Sequence, residues 1–219
     1  MYWISFLKKE SNLVTSSKND IFMQAGFFLT FLVIFGISSG FEQTGDMVKV
    51  GLIWFLMMFL SLLNNNRLLK DDFNDGSLIY LILSNYSLPT SVLIKVLSNW
   101  FFSNIVLFIS MPIVMLFLGL NMNLIIPIIV SIVLGSCTIS LLSSIGTALT
   151  LSISKNTFLL FIIMLPLYIP VFLLGLTMVK LAKFELSYLG VLYLMLAVLS
   201  ASIVIIPYLV AIIIRIHYD

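Results

Sequence analysis

The side chains able to do chemistry are few, and three of the nine acidic ones gather in one place. Asp71, Asp72 and Asp75, followed directly by Gly76 and Ser77, form the densest acidic cluster in the chain. Asp75 or Ser77 can cap a helix, because a side-chain oxygen accepts a backbone N–H that the first turn leaves unpaired. Carboxylates there also meet the positive end of the helix dipole. This is the chemistry of structure and recognition, and the remainder offers little for catalysis. His217 is the only histidine and Cys137 the only cysteine. A metal or heme site needs further ligands and an orienting second shell, so a lone histidine in a tail is read as solvated. One cysteine excludes an internal disulfide and Cys-paired metal motifs. No GxxxxGK[ST] occurs and no glycine precedes a lysine, so the chain has no P-loop for ATP. HExxH and CxxCH are absent too. The expectation is a chain without catalytic residues, metal site or bound cofactor.

The elements that must position these residues are membrane helices. Of 219 residues, 61% are apolar and 9% charged, and mean hydropathy is +1.19. A soluble domain is about 45–50% apolar and about 25% charged. So few charges cannot cover a soluble surface; the solvent is the lipid bilayer. A net charge of +2 gives no reason to expect nucleic acid. The amino end, MYWISFLKKESNLVTSSKND, has no cleavable signal pattern. A spanning helix needs about 20 mostly apolar residues. Six runs qualify, at about 21–40, 47–63, 99–119, 124–152, 158–179 and 188–214. The expected fold is therefore an all-α integral membrane protein of six transmembrane helices forming one domain over 1–219. Only 1–20 and 64–98 leave the bilayer at any length.

Basic residues set the orientation, because cytoplasmic loops carry an excess of them. Six spans place Lys8, Lys9, Lys18, Arg67, Lys70, Lys95, Lys155 and Arg215 on one side. Lys49, Lys180 and Lys183 fall on the other, and eight against three accounts for all eleven. Both termini are expected in the cytoplasm.

No charge lies near the middle of any span, which argues against a proton relay or a voltage sensor. The fourth span carries Ser136, Ser140, Ser144, Ala148 and Ser152 at every fourth position, with Ser143, Thr147, Gly135 and Gly146 beside them. Small residues let backbones approach and hydroxyls bond across helices, so this stripe reads as a packing seam in preference to a substrate path. The fifth span contains Pro166 and Pro170, each removing a backbone donor and clashing one turn back. A kink for packing and a moving element are both consistent with them. Trp3, Trp54 and Trp100 are scattered, as interfacial anchors would be.

Residues 64–98 carry the remaining information. A short helix is expected from about 76 to 84, stopping before Pro89. Leu78, Leu81 and Ile82 share one face at i, i+3, i+4, and Ile79 and Leu83 widen the apolar surface. Such a helix needs cover, from the membrane interface on one face and a groove on a soluble partner on the other. A re-entrant or purely interfacial helix is the alternative, which accounts for the apolarity but less well for the acidic cluster before it.

At these residues the chain resembles the coupling segment of ABC-2 type permeases, in which acid-x-x-acid-Gly-Ser/Thr-Leu-x-x-Leu is followed by Leu-Pro and a lysine. More narrowly it resembles the heme exporter protein B (CcmB) family. The matching pieces are Gly51-Leu52-Ile53-Trp54, Arg67-Leu68, Asp71-Asp72, Asp75-Gly76-Ser77-Leu78-x-x-Leu81, Leu88-Pro89, Lys95, Trp100, Leu165-Pro166 and Ile169-Pro170. Asn66 and Ile79 stand where the family pattern leads one to expect carboxylates. The resemblance spans the whole chain and implies a non-catalytic permease subunit. It would pair with a separate CcmA-like ABC ATPase, whose ATP hydrolysis moves a cytoplasmic coupling segment. That segment would be 64–98, with Asp71, Asp72, Asp75, Gly76, Ser77, Leu78, Leu81 and Ile82 as the coupling residues. The resemblance further implies heme-handling membrane subunits and a heme chaperone as partners, with heme as the pathway's cargo. It implies a bacterial inner membrane, with a mitochondrial inner membrane as the alternative. The rival readings are a general exporter of lipid, drug or polysaccharide and a non-transporting membrane scaffold.

Overall fold

The computed structural model describes residues 18–40, 44–83, 87–151 and 157–218. Every regular element among them is helical. These are α1 (Lys18–Ser39), α2 (Asp46–Leu68), α3 (Lys70–Asn74), α4 (Ser77–Leu83), α5 (Leu88–Phe117), α6 (Ile125–Leu149), α7 (Thr157–Lys183) and α8 (Leu189–Ile216). A 3-10 turn, Met122–Leu124, leads into α6. Five stretches are long and apolar enough to cross a membrane: Asp46–Asn64, Leu88–Phe117, Met122–Leu149, Ile162–Lys183 and Leu189–Ile216. They coincide with the second to sixth predicted spans. The first predicted span is helical as α1, but its described apolar part, Met23–Ser38, is shorter than those five.

The third span starts at Leu88, well ahead of the expected 99. Pro89 sits at the second helical position, where its missing N–H is one that a helix start leaves unpaired anyway. The proline expected to end one helix thus also opens the next. At the far end of α5, Gly119 takes φ +63 and the Leu120 N–H donates to the Met115 carbonyl at 3.0 Å. Glycine adopts that left-handed backbone without a steric penalty, and this closes the tight turn into α6.

The small-residue helix α6 is the centre of the bundle. Its spanning window is 67% buried, against 33–35% for those of α5, α7 and α8, and it touches α2, α5, α7 and α8. Buried hydroxyls are costly unless paired, and here they bond into their own helix. Ser131 donates to the Ile128 carbonyl and Ser143 to Ser140, both at 2.9 Å, and Ser144 donates to Leu141 at 2.6 Å. Thr147 donates to the Ser143 carbonyl at 3.0 Å. Ser136, Ser140, Ser144 and Ala148 are all buried, and Ser152 lies outside the described residues. One bond crosses from α5, where Trp100 Nε1 donates to Ser136 Oγ at 3.0 Å.

Trp54 departs from its expected place at an interface. It is 1% exposed and wedged between Gly135 of α6 and Gly175 of α7, where a Cβ at either position would overlap its ring. Phe172 meets it edge-on at 6.2 Å and 80°. A ring this large fits between helices only where facing positions give up their side chains. Its indole N–H has no hydrogen-bond partner among the described residues. Tyr168 of α7 is also fully buried; its hydroxyl faces Ser143 but forms no hydrogen bond of ordinary geometry.

α7 runs unbroken through Pro166 and Pro170, both of which face outward. Met164, Tyr168 and Val171 form the buried stripe at i, i+4, i+7. With both rings on the outer side, the packed face of the helix is left continuous.

Candidate functional site

The segment between α2 and α5 folds back onto the end of the bundle. Leu69 is fully buried, and residues 70–74 then make the short helix α3. Asp75 closes α3, its N–H donating to the Asp71 carbonyl at 2.9 Å. Gly76 takes φ +72, and its N–H reaches the Phe73 carbonyl at 3.2 Å. That positive φ lets the chain reverse between two helices that share almost no linker.

α4 has two faces. Leu78 is fully buried in one apolar cluster with Leu88, Val92 and Val96 of α5, Ala148 of α6 and Ile214 of α8. Leu81, Ile82 and Phe73 are partly buried against that cluster. Ile79, Tyr80 and Leu83 point away and are 43%, 77% and 74% exposed. The shared face expected from the spacing of Leu78, Leu81 and Ile82 therefore exists. It is taken by the chain's own bundle, because α3 and the Gly76 reversal roll that stripe inward.

Two further contacts tie the segment down. Lys95 Nζ of α5 forms a salt bridge with Asp72 Oδ2, and the two side chains are only 6% and 19% exposed. Phe73 meets the ring of Tyr218, just beyond α8, at 5.7 Å. Burial, and then the charge of Asp72, raise the Tyr218 pKa, while burial lowers that of Lys70. Asp71 and Asp75 are exposed.

Three sequence expectations change here. Asp75 does not cap α4: it is the C-cap residue of α3, because residues 70–74 form their own turn instead of leading straight into one helix. Ser77 donates its hydroxyl to the Asp72 carbonyl at 3.4 Å, where a cap would have accepted an N–H. His217 is not a freely solvated tail residue. It is the C-cap of α8, half-buried, with ring Nδ1 2.9 Å from the Ile213 carbonyl. No group of three or more His, Cys, Asp or Glu residues is arranged to hold a metal among the described residues. Cys137 is buried.

The pairing of Asp72 with Lys95, the tilted contact of Phe73 with Tyr218 and the Trp54 wedge escaped sequence reasoning. A signal existed for the first: Lys95 is a charge inside an otherwise apolar run, and such a charge calls for a partner. The opposite pole has its own polar set. Asp46 and Lys183 pair at 2.9 Å, and Lys49 Nζ, 5% exposed, donates to the Leu118 carbonyl at 2.7 Å. Asn121, Asn123, Lys183 and Glu185 line an open recess of about 480 Å3 there.

Comparison with known proteins covers the whole of this architecture. The family described as CcmB protein matches residues 1–217. The chain is 29% identical over 220 residues to the heme exporter protein B of Haemophilus influenzae, with all of both chains covered. It is 35% identical over 170 residues to that of Pseudomonas aeruginosa, covering 77% of this chain and 76% of the relative. Against that of Escherichia coli K12 it is 31% identical over 217 residues, or 99% and 98% of the two chains. A match that runs through the spanning helices and the folded-back segment alike leads to one conclusion: this multi-pass membrane protein belongs to the CcmB family.

Proposed function

We propose that the chain is the permease subunit of an ABC-type complex in c-type cytochrome biogenesis. It has six spans, with α1 as the first, and both termini in the cytoplasm of a bacterium whose inner membrane it crosses. A separate CcmA-like ATPase supplies the energy. Heme-handling membrane subunits and a heme chaperone are its other partners, and the output is heme delivery or release of the loaded chaperone. Heme is the cargo of the pathway. The names of the relatives support the heme connection, and the distribution of basic residues supports the orientation.

One observation carries the coupling role: α4 is held by its inner face and presents Ile79, Tyr80 and Leu83 outward. A seven-residue helix has no reason to expose three large apolar side chains beside an acidic turn unless something covers them. A groove on the ATPase covers them in this reading. Ile79 stands where the resemblance leads one to expect a carboxylate, so the matching part of that groove is apolar. Tyr80→Asp buries an unpaired charge in such a contact and abolishes co-purification of the ATPase from membranes, while the chain still inserts. Full retention of the ATPase by Tyr80→Asp sinks the docking model. Deletion of the chain stops covalent heme attachment to c-type cytochromes and spares b-type ones; normal c-type cytochromes would favour a general exporter. A reporter after Asp219 is cytoplasmic and one near Phe184 is outside, and both on one side would end the six-span topology.

A further inference from the structure

The contacts that hold the folded-back segment differ in kind. Leu78 sits in an apolar cluster, and apolar contacts are non-directional, so they tolerate sliding. The Asp72–Lys95 salt bridge is directional and lies largely out of water, with side chains 19% and 6% exposed. Lys95 regains little water if the pair opens, so a shift of the segment and α5 together costs less than sliding one past the other. The connection continues inward. On the same helix as Lys95, Trp100 donates to Ser136 of the central helix α6. The acidic turn is thus bonded to α5 at Lys95, and α5 is bonded to the central helix at Trp100, the two points being joined through the backbone of α5.

We infer that Lys95 and Asp72 are positioning residues, forming the strut that makes α5 follow any displacement of the segment between α2 and α5. This rests on the coupling reading for its biological meaning, but the mechanical claim stands apart from it. A pair that merely stabilises the fold behaves differently under substitution. Replacing a buried ion pair by apolar residues of similar volume generally leaves stability intact. The double variant Asp72→Leu/Lys95→Met therefore folds under either view, and only the strut predicts that it fails to transmit.

The test uses the full chain expressed with its native complex in membranes. Spin labels are placed at Asn74→Cys on α3 and Ile109→Cys on α5, in a Cys137→Ala background, and their distance distribution is measured. The parent gives one narrow distribution. Asp72→Leu/Lys95→Met inserts in normal amount and retains the ATPase, but broadens that distribution and lowers c-type cytochrome yield about tenfold, a coupling change of ordinary size. The swap Asp72→Lys/Lys95→Asp narrows the distribution again and recovers most of the yield. An unchanged distribution in the double apolar variant overturns the strut, and a broadened one with undiminished yield overturns its part in the output. Failure of the parent chain to retain any ATPase removes the coupling reading instead, and the distance measurement still decides whether the strut exists.

Discussion

Each pole of the bundle holds an aspartate–lysine pair, and the two are not equivalent. Asp46–Lys183, at 2.9 Å, has side chains 20% and 33% exposed and borders an open recess. Asp72–Lys95 has side chains 19% and 6% exposed and lies next to the layer formed by Leu78, Val92 and Val96. Water can stand in for a lost partner at the first pair and cannot do so for Lys95 at the second. The same two residue types therefore make a weak tether at one end and a rigid joint at the other. Burial of the lysine decides which.

The sharpest way to break this comparison is to neutralise one acid at each pole. Asp72→Asn removes the carboxylate facing a buried lysine and should cost up to about 5 kcal/mol, read as a fall in the unfolding midpoint of the detergent-solubilised complex. A loss no larger than that of Asp46→Asn would remove the distinction. Next in size is Leu78→Ala, expected to cost about 2–5 kcal/mol through the cavity it leaves. Its neighbour on the outer face, Tyr80→Ala, should change stability by less than about 0.5 kcal/mol while weakening ATPase retention. Equal stability losses from Leu78→Ala and Tyr80→Ala would contradict the two-faced helix.

The two turn glycines sharpen the comparison further, since Gly76 and Gly119 have φ +72 and +63 at opposite poles. Alanine at either should cost about 1–2 kcal/mol in backbone strain, because open space surrounds both and sterics add nothing. Only Gly76→Ala should also lower cytochrome yield; equal yields would separate the segment's geometry from its output. Asp46→Asn comes lower, at no more than about 1 kcal/mol and vanishing at high salt. Smallest is Tyr218→Phe, which keeps the ring against Phe73. The raised Tyr218 pKa means that the folded chain holds this proton more tightly than the unfolded one. Its contribution is whole below the ordinary tyrosine value of about 10 and is lost as pH rises through the higher folded value. Lys70, lowered by burial, acts in the opposite direction. In Tyr218→Phe only the tyrosine part disappears, so the variant should lose less stability than the parent as the buffer passes from about pH 9 to 11.

Much of the fold was legible because lipid leaves the backbone few options. Each apolar run long enough to span must pair its own N–H and C=O groups, and a helix does so. Five of the six predicted runs match membrane-length helices. The small polar residues of α6 were legible as a stripe, but not as bonds into their own carbonyls. Trp54 was misplaced for a plain reason: its spacing says nothing of Gly135 and Gly175, which lie far along the chain and vacate the slot it fills. In the folded-back segment the helix and its apolar stripe were legible. Which face looked inward was not, because Gly76 sets that rotation through a backbone angle.

By itself the sequence determined the solvent, the helices, their approximate ends and the family. All of these follow from local composition or from residues read in order. The tertiary structure alone decided that α6 is the centre and that Asp75 closes one helix without capping the next. It likewise decided that Leu78 faces the bundle while Tyr80 faces out, and that Asp72 finds Lys95 across 23 positions of chain. Each of these depends on which surfaces lose water together, and that is settled only when distant helices come into contact.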